Sequence, residues 1–121
     1  MIKYYLIKKG DFIIVERVII ADRFFQRLMG LLRQKNMAPG NGLLIRPCKQ
    51  VHTFGMHFDI DVVFLTNQMQ VVKIEQNMKP GKMSKYVKEA ACVLELTAGS
   101  ASTHNLRPLD YLCMEPCISV P

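Results

Sequence analysis

The most apolar segment of the chain is the run Val62 to Leu65, which follows directly on a carboxylate, Asp61. A short run of β-branched and aromatic residues is typical of a buried strand. An unpaired charge costs several kcal/mol to bury, so Asp61 must find backbone N–H donors, a cation or water where that strand begins. The surrounding stretch, Pro47 to Thr66, also holds His52, Met56, His57 and Asp59 within a few positions, which makes it the first candidate for a functional site.

The length and composition predict one globular domain. The chain has 121 residues and half of them are apolar, which is enough for a hydrophobic core that needs no metal or disulfide. We predict a single domain over residues 1–121, with the core at about 2–115 and a short peripheral tail at 116–121.

The balance of charge is basic, since 16 Lys and Arg residues face 10 Asp and Glu residues for a formal net charge of +6. Such a charge favours an anionic partner if it is concentrated on one face. Lys79, Lys82, Lys85 and Lys88 share one polar stretch, but no helix-turn-helix pattern accompanies them. We interpret the stretch as a solvated basic loop and do not predict a nucleic-acid site.

The N-terminus and the cysteines indicate a reducing compartment. The chain reaches Lys8 before any apolar run long enough for a signal-peptide core, and no window approaches the roughly 18 apolar residues of a membrane span. We predict a cytoplasmic protein in which Cys48, Cys92, Cys113 and Cys117 are reduced thiols. Their spacings match neither a redox pair nor paired zinc knuckles, so we interpret them as small apolar residues.

Short apolar and β-branched runs separated by turn residues recur along the whole chain. The turn Lys9-Gly10-Asp11 predicts a first hairpin, and Asn67-Gln68 an imperfect one, because the glycine that tight turns prefer is absent. We predict strands over residues 2–7, 12–20, 42–46, 51–54, 60–66, 69–78, 92–97 and 110–115.

One segment has the period of a helix instead. From Asp22, a plausible N-cap, to Arg33, the apolar residues Phe25, Leu28 and Leu32 recur at helical spacing. We predict that this face packs on the sheet, and that residues 98–104 form a second short helix or a turn. The predicted fold class is β-rich α+β: a compact, mixed, barrel-like sheet of seven or eight short strands with one main amphipathic helix.

Six sequence blocks occur together in the order of a known protein family. They are Arg27-Leu28-Met29-Gly30-Leu31, Gly42-Leu43-Leu44-Ile45, Pro47-Cys48, His52-Thr53-Phe54-Gly55-Met56, Ile60-Asp61-Val62-Val63-Phe64-Leu65 and Val93-Leu94-Glu95-Leu96-Thr97-Ala98-Gly99. In these blocks the chain resembles the bacterial and archaeal domain of unknown function family 192. The resemblance implies a compact β-rich barrel with a packed helix and no agreed activity. Asp59 and Gly81 depart from the residues usual in the family, so a loop-borne binding surface is expected to differ here.

The first functional hypothesis is a binding module in which Arg27, His52, Asp61 and Glu95 line a polar groove at the mouth of the barrel. Arg clamps carboxylates and the acidic side chains accept N–H donors, which suits an uncharged or zwitterionic small ligand or a peptide end. The alternative is that these residues only stabilise the fold, with Arg27 paired to an acidic residue and His52 in the core. Asp61 would then hold the loop at residues 55–60 through backbone N–H groups.

Two further hypotheses use the same stretch. His52, Met56 and His57 offer imidazole and thioether ligands for a soft metal such as Cu(I), although strand alternation puts His57 opposite the other two unless the strand is bulged. Cys48 as nucleophile, with His52 as base and Asp61 as orienter, would make a thiol enzyme. Nothing in the sequence lowers the pKa of Cys48.

The hypothesis that we favour is a small binding or accessory module rather than a catalyst. We predict no cofactor, and an unidentified small ligand or protein as partner. The sequence specifies neither the ligand nor the oligomeric state.

The four thiols give the first prediction. Adding dithiothreitol should leave the melting temperature unchanged in scanning calorimetry, because no disulfide constrains the unfolded chain. A clear fall of the melting temperature in reductant would reveal a disulfide and contradict the cytoplasmic location as well.

Overall fold

The structure is a computed structural model that describes residues 3–21 and 37–117. Within these ranges one helix, α1, spans Ser100–Thr103, and none is long and apolar enough to cross a membrane. The predicted main helix, from Asp22 to Arg33, lies outside the described residues. The strands are β1 Tyr5–Lys9, β2 Phe12–Ala21, β3 Asn41–Ile45, β4 Ile60–Leu65, β5 Val71–Met78, β6 Cys92–Thr97 and β7 Cys113–Pro116.

All seven of these strands belong to one mixed sheet, in the order β5-β4-β6-β3-β2-β1-β7. The β2–β3 pair is parallel, with Val18 opposite Gly42, and the other pairs are antiparallel. A parallel pair needs a crossover connection of about a dozen residues or more. The chain from Asp22 to Gly40 is long enough to provide it.

The two predicted hairpins are confirmed. Gly10, with φ at 60°, is the first of two turn residues between β1 and β2, where a two-residue turn demands a positive φ. In the β4–β5 turn the hydroxyl of Thr66 accepts the backbone N–H groups of Gln68 and Gln70, both at 3.2 Å. Met69 takes the left-handed conformation, with φ at 62°. A side-chain hydrogen-bond acceptor thus supports a turn that lacks glycine.

Apolar side chains cover both faces of the sheet. The largest cluster draws residues from six strands, β1 to β6, and adds Ala101 of α1 with Leu106 and Leu112 beyond it. On the other face, Val62 and Phe64 of β4 pack against the loops through Val51, Met56 and Val87. All six residues of β4 are therefore buried. The prediction that the most apolar run is a buried strand is confirmed.

The sheet is not closed into a barrel, so this part of the predicted fold class is wrong. In the described chain β5 pairs only with β4 and β7 only with β1. The two edges meet at one isolated bridge, Gln70 with Tyr111. The predicted strand 110–115 begins only at Cys113, because the preceding residues hydrogen-bond to residues 69–71 instead, with Val71 N to Asp110 O at 2.8 Å and Leu112 N to Met69 O at 2.9 Å. The described fold is mostly β rather than α+β.

Gly42 is required where three strands meet. A Cβ added at this position would lie 3.1 Å from Val15 Cγ1, 3.2 Å from the backbone oxygen of Glu95 and 3.2 Å from Leu96 Cδ2. Two side chains could shift, but the strand backbone cannot move without disturbing the β3–β6 ladder. The small residue therefore sets how closely β3 approaches its neighbours.

We predict that Gly42→Ala lowers the free energy of unfolding by about 1 to 3 kcal/mol, the range for overpacking a filled core. Denaturant melts measure the change. Gly10→Ala is the control, because its Cβ would meet no atom within 4 Å although its φ is 60°, so it reports backbone strain without a clash. An unchanged midpoint for Gly42→Ala would contradict the close approach.

Candidate functional site

Asp61, at the second position of β4, is fully buried and its carboxylate is satisfied by the backbone. One oxygen accepts the N–H of Asn77 at 2.9 Å. The other accepts the N–H groups of Ala101 at 2.9 Å and Gly99 at 3.1 Å. The predicted satisfaction by N–H donors is confirmed, but the donors belong to the end of β5 and the start of α1. The loop 55–60 that we expected Asp61 to hold supplies none of these three bonds.

Glu95 is also fully buried, but on the other face of the sheet. Register pairs Glu95 of β6 with Val62 of β4, and Asp61 with Leu96. Side chains of successive residues in a strand point to opposite faces. The carboxylates of Asp61 and Glu95 are therefore separated by the sheet and do not line one groove. Arg27, the fourth member of the predicted groove, lies outside the described residues.

His52 lies on a two-stranded antiparallel ribbon formed by residues 49–54 and 81–87, which we call the loop ribbon. Its backbone bonds include Thr53 N to Lys82 O at 2.8 Å and Ser84 N to Val51 O at 2.9 Å. The predicted strand 51–54 is thus a ribbon outside the main sheet, with one bridge between His52 and Met83. Val51 points inward to the core, so His52 points outward and is exposed.

Two buried hydroxyl groups, those of Thr53 and Ser84, support the loop ribbon on its inner side. Thr53 Oγ1 donates to the carbonyl oxygen of Lys79 at 2.6 Å and accepts the N–H of Lys82 at 2.9 Å. Ser84 Oγ accepts the N–H of Val51 at 3.0 Å and donates to the carbonyl oxygen of Lys85 at 3.0 Å. Both side chains are buried. These bonds fix the backbone that carries the outward side chains.

The loop ribbon carries four exposed aromatic and apolar side chains, which we call the outer patch: His52, Phe54, Met83 and Tyr86. The rings of His52 and Phe54 stack with centroids 4.8 Å apart, and Phe54 N–H donates to His52 Nδ1 at 3.3 Å. Met83 stands opposite His52, in the narrow kind of antiparallel pair that brings side chains closest. The exposed fractions are 52% for Phe54, 60% for Met83 and 63% for Tyr86.

Sequence reasoning found His52 but missed Met83 and Tyr86. Residues 79–88 looked like one polar loop, because their pairing partner lies some 30 positions earlier in the chain. The sequence from Lys82 to Val87 lacks the regular alternation of apolar and polar residues that would have marked a strand.

The soft-metal hypothesis placed His52, Met56 and His57 together. Gly55, with φ at 79°, turns the chain so that Met56 enters the core at 6% exposure. His52 and His57 are exposed. The thioether of Met56 and the imidazole of His52 therefore lie on opposite sides of the loop ribbon. No group of three or more His, Cys, Asp or Glu side chains in the described chain could hold a metal ion.

The thiol-enzyme hypothesis needed Cys48, His52 and Asp61 in one chain of contacts. Cys48 is half-buried and its thiol donates to the carbonyl oxygen of Gln50 at 3.1 Å. Asp61 faces the opposite side of the sheet from Val51, which anchors the loop ribbon. It therefore does not orient His52. Burial raises the pKa of the Cys92 thiol to about 11, which makes that thiol a poor nucleophile. No disulfide joins Cys48, Cys92, Cys113 or Cys117.

Comparison with known proteins identifies the family. A family model described as Uncharacterized ACR, domain of unknown function 192, matches residues 6–113. The chain belongs to this family. That assignment confirms the resemblance in the six sequence blocks and brings no specific function with it. No curated protein matches the chain.

Two crystal structures share the fold of this family member. One, from Sinorhizobium meliloti 1021 and described as a candidate transcription regulator, has 22% identity and a TM-score of 0.73, and 94% of each chain is covered. The other, a protein of unknown function from Novosphingobium aromaticivorans DSM 12444, has 18% identity and a TM-score of 0.76. The match to this second structure covers 93% of this chain and 84% of the chain from Novosphingobium. At these identities the likeness concerns the fold alone.

We predict that Asp61→Asn lowers the free energy of unfolding by about 2 kcal/mol or more. The substitution removes the charge and turns an amide NH₂ toward backbone N–H donors, so a buried donor loses its acceptor. Denaturant midpoints measure the loss.

The matched control is Asp59→Asn. Asp59 forms an ion pair with Lys79 at 2.6 Å, but Lys79 is largely exposed, and exposed pairs contribute about 0 to 1 kcal/mol. Equal midpoints for Asp61→Asn and the wild type would contradict the structural role of Asp61.

Proposed function

We propose that this protein is a binding or accessory module that engages its ligand through the outer patch of the loop ribbon. The observation that carries the proposal is the exposure of Phe54, Met83 and Tyr86 on a backbone held by buried hydroxyls. Contiguous exposed apolar side chains rimmed by polar residues are typical of interaction sites. The outer patch takes the place of the groove first predicted, and keeps only His52 from it.

The rigidity of the support favours binding. Thr53 and Ser84 each form two side-chain hydrogen bonds, and one of each crosses the loop ribbon, to Lys82 and to Val51. A surface that is already ordered loses little conformational entropy when a ligand arrives, so more of the contact energy appears as affinity. The stacked rings of His52 and Phe54 add a preformed contact surface of two aromatic groups.

The dispersion of the reactive groups argues for binding rather than catalysis. Asp61 is fully occupied by three backbone N–H groups. Cys92 is buried with a raised pKa, and the Cys48 thiol faces a carbonyl oxygen. A thiol or acid–base mechanism needs a nucleophile and a base within hydrogen-bond reach of each other, and neither Asp61 nor Cys92 is placed to serve as one at the outer patch.

Photo-crosslinking tests the proposal. A benzophenone amino acid placed at Met83 should give a discrete adduct in the producing cells, identified by mass spectrometry, and Phe54→Ser should abolish it. The same photoreactive residue at Phe12, which is 78% exposed at the start of β2, is the control for random collision. Equal adducts at both positions, or no effect of Phe54→Ser, would contradict a binding role for the outer patch.

A further inference from the structure

We propose that the occupant of the outer patch is an extended acidic segment of a partner protein, with apolar side chains between its carboxylates. This inference rests on the proposed function and names the partner of the same surface. Three features carry it: the concentration of charge around the loop ribbon, the lysines that no acidic side chain neutralises, and the apolar character of the centre.

The two loops that form and flank the outer patch are basic. The loops at residues 46–59 and 79–91 hold six basic residues and two acidic ones, Asp59 and Glu89. Six basic minus two acidic residues gives these loops a formal net charge of +4. A surface of one sign attracts a partner of the opposite sign and orients it during the encounter.

Three of these lysines are available to a partner. Lys49 donates to the carbonyl oxygens of Lys88 at 2.7 Å and Ala90 at 2.5 Å, and Lys79 is paired with Asp59. Lys82, Lys85 and Lys88 are exposed, and in the described part of the chain none of them forms an ion pair. From Lys82 to Lys88 an extended chain spans roughly 20 Å, which matches a peptide of about six extended residues.

The centre of the surface is suited to a protein rather than to a nucleic acid. Met83 is exposed, and methionine adapts its shape to apolar partners and is enriched in protein interfaces. The His52 ring covers one side of the Phe54 ring, whereas stacking platforms for single strands present open aromatic faces to successive bases. Asp59 and Glu89 in the same loops would repel phosphates. Arg46 is the one arginine in these two loops, and arginine is the side chain that binds phosphate bidentately.

Fluorescence anisotropy with synthetic probes tests the chemistry of the partner. The main probe is a labelled peptide of about ten residues that alternates Glu with Leu and Phe, which is long enough to cross the loop ribbon. The comparison probes are an all-Glu peptide, the same alternating peptide with Lys in place of Glu, and an oligodeoxythymidylate of similar length. We expect the main probe to bind about ten-fold more tightly than each of the others.

Two pairs of variants assign the binding to this surface. Phe54→Ser should weaken binding of the main probe about ten-fold, and Phe12→Ser should leave it unchanged. Lys85→Glu should weaken it about five-fold. Lys3→Glu is its matched control, because it changes the net charge equally at an exposed position elsewhere. Circular dichroism melts check that each variant folds.

The outcomes separate this inference from the proposed function. Tighter binding of the oligonucleotide, equal binding of the all-Glu peptide, or equal loss with Lys3→Glu would overturn the acidic segment. A crosslink at Met83 that joins two copies of this chain would also overturn it, but would leave the outer patch a binding surface. A Phe54-dependent crosslink to a partner without an acidic segment would likewise overturn the acidic segment and leave the outer patch a binding surface. Loss of both the crosslink and the peptide binding would overturn both proposals.

Discussion

The carboxylate of Asp61 is the interaction on which the arrangement of the sheet depends. It joins three segments that are distant in sequence, because it accepts backbone N–H groups from Asn77 at the end of β5 and from Gly99 and Ala101 at the start of α1. Three donors satisfy a charge that would otherwise be costly to bury. The core cluster that packs on β4 and β6 includes Ala101. The hydrogen bond from Ala101 N–H to Asp61 therefore also holds the start of α1 against that cluster.

The sheet divides the molecule into a structural side and a side that carries the candidate binding surface. Asp61 and the largest core cluster lie on one face. On the other face the loop ribbon rests on β4 through Val51, and the residues outside it are exposed. Because strand neighbours alternate between faces, adjacent positions in one segment serve packing and exposure in turn. This explains why Thr53 and Ser84 are buried between the exposed residues of the outer patch.

The candidate site illustrates how far residue types can mislead. Arg27, His52, Asp61 and Glu95 have the chemistry of a ligand groove, but a carboxylate is functional only where it meets the ligand. The carboxylate of Asp61 is hydrogen-bonded to backbone N–H groups, and the side chain of Glu95 lies on the opposite face of the sheet. Besides His52, the outer patch consists of a phenylalanine, a methionine and a tyrosine, residue types that are often found in the core. Its significance comes from exposure and rigidity, which are properties of the assembled molecule.

The sequence by itself determined most of the strands, both hairpins, the buried run after Asp61 and the family. These follow from local periodicity, turn chemistry and ordered motifs, which operate within a few residues. Only the tertiary structure decided that the sheet stays open, that Asp61 and Glu95 face apart, and that Met83 stands opposite His52. Each of these depends on register between segments far apart in the chain. A shift of one residue would reverse every side chain of a strand, and local pattern does not specify that register.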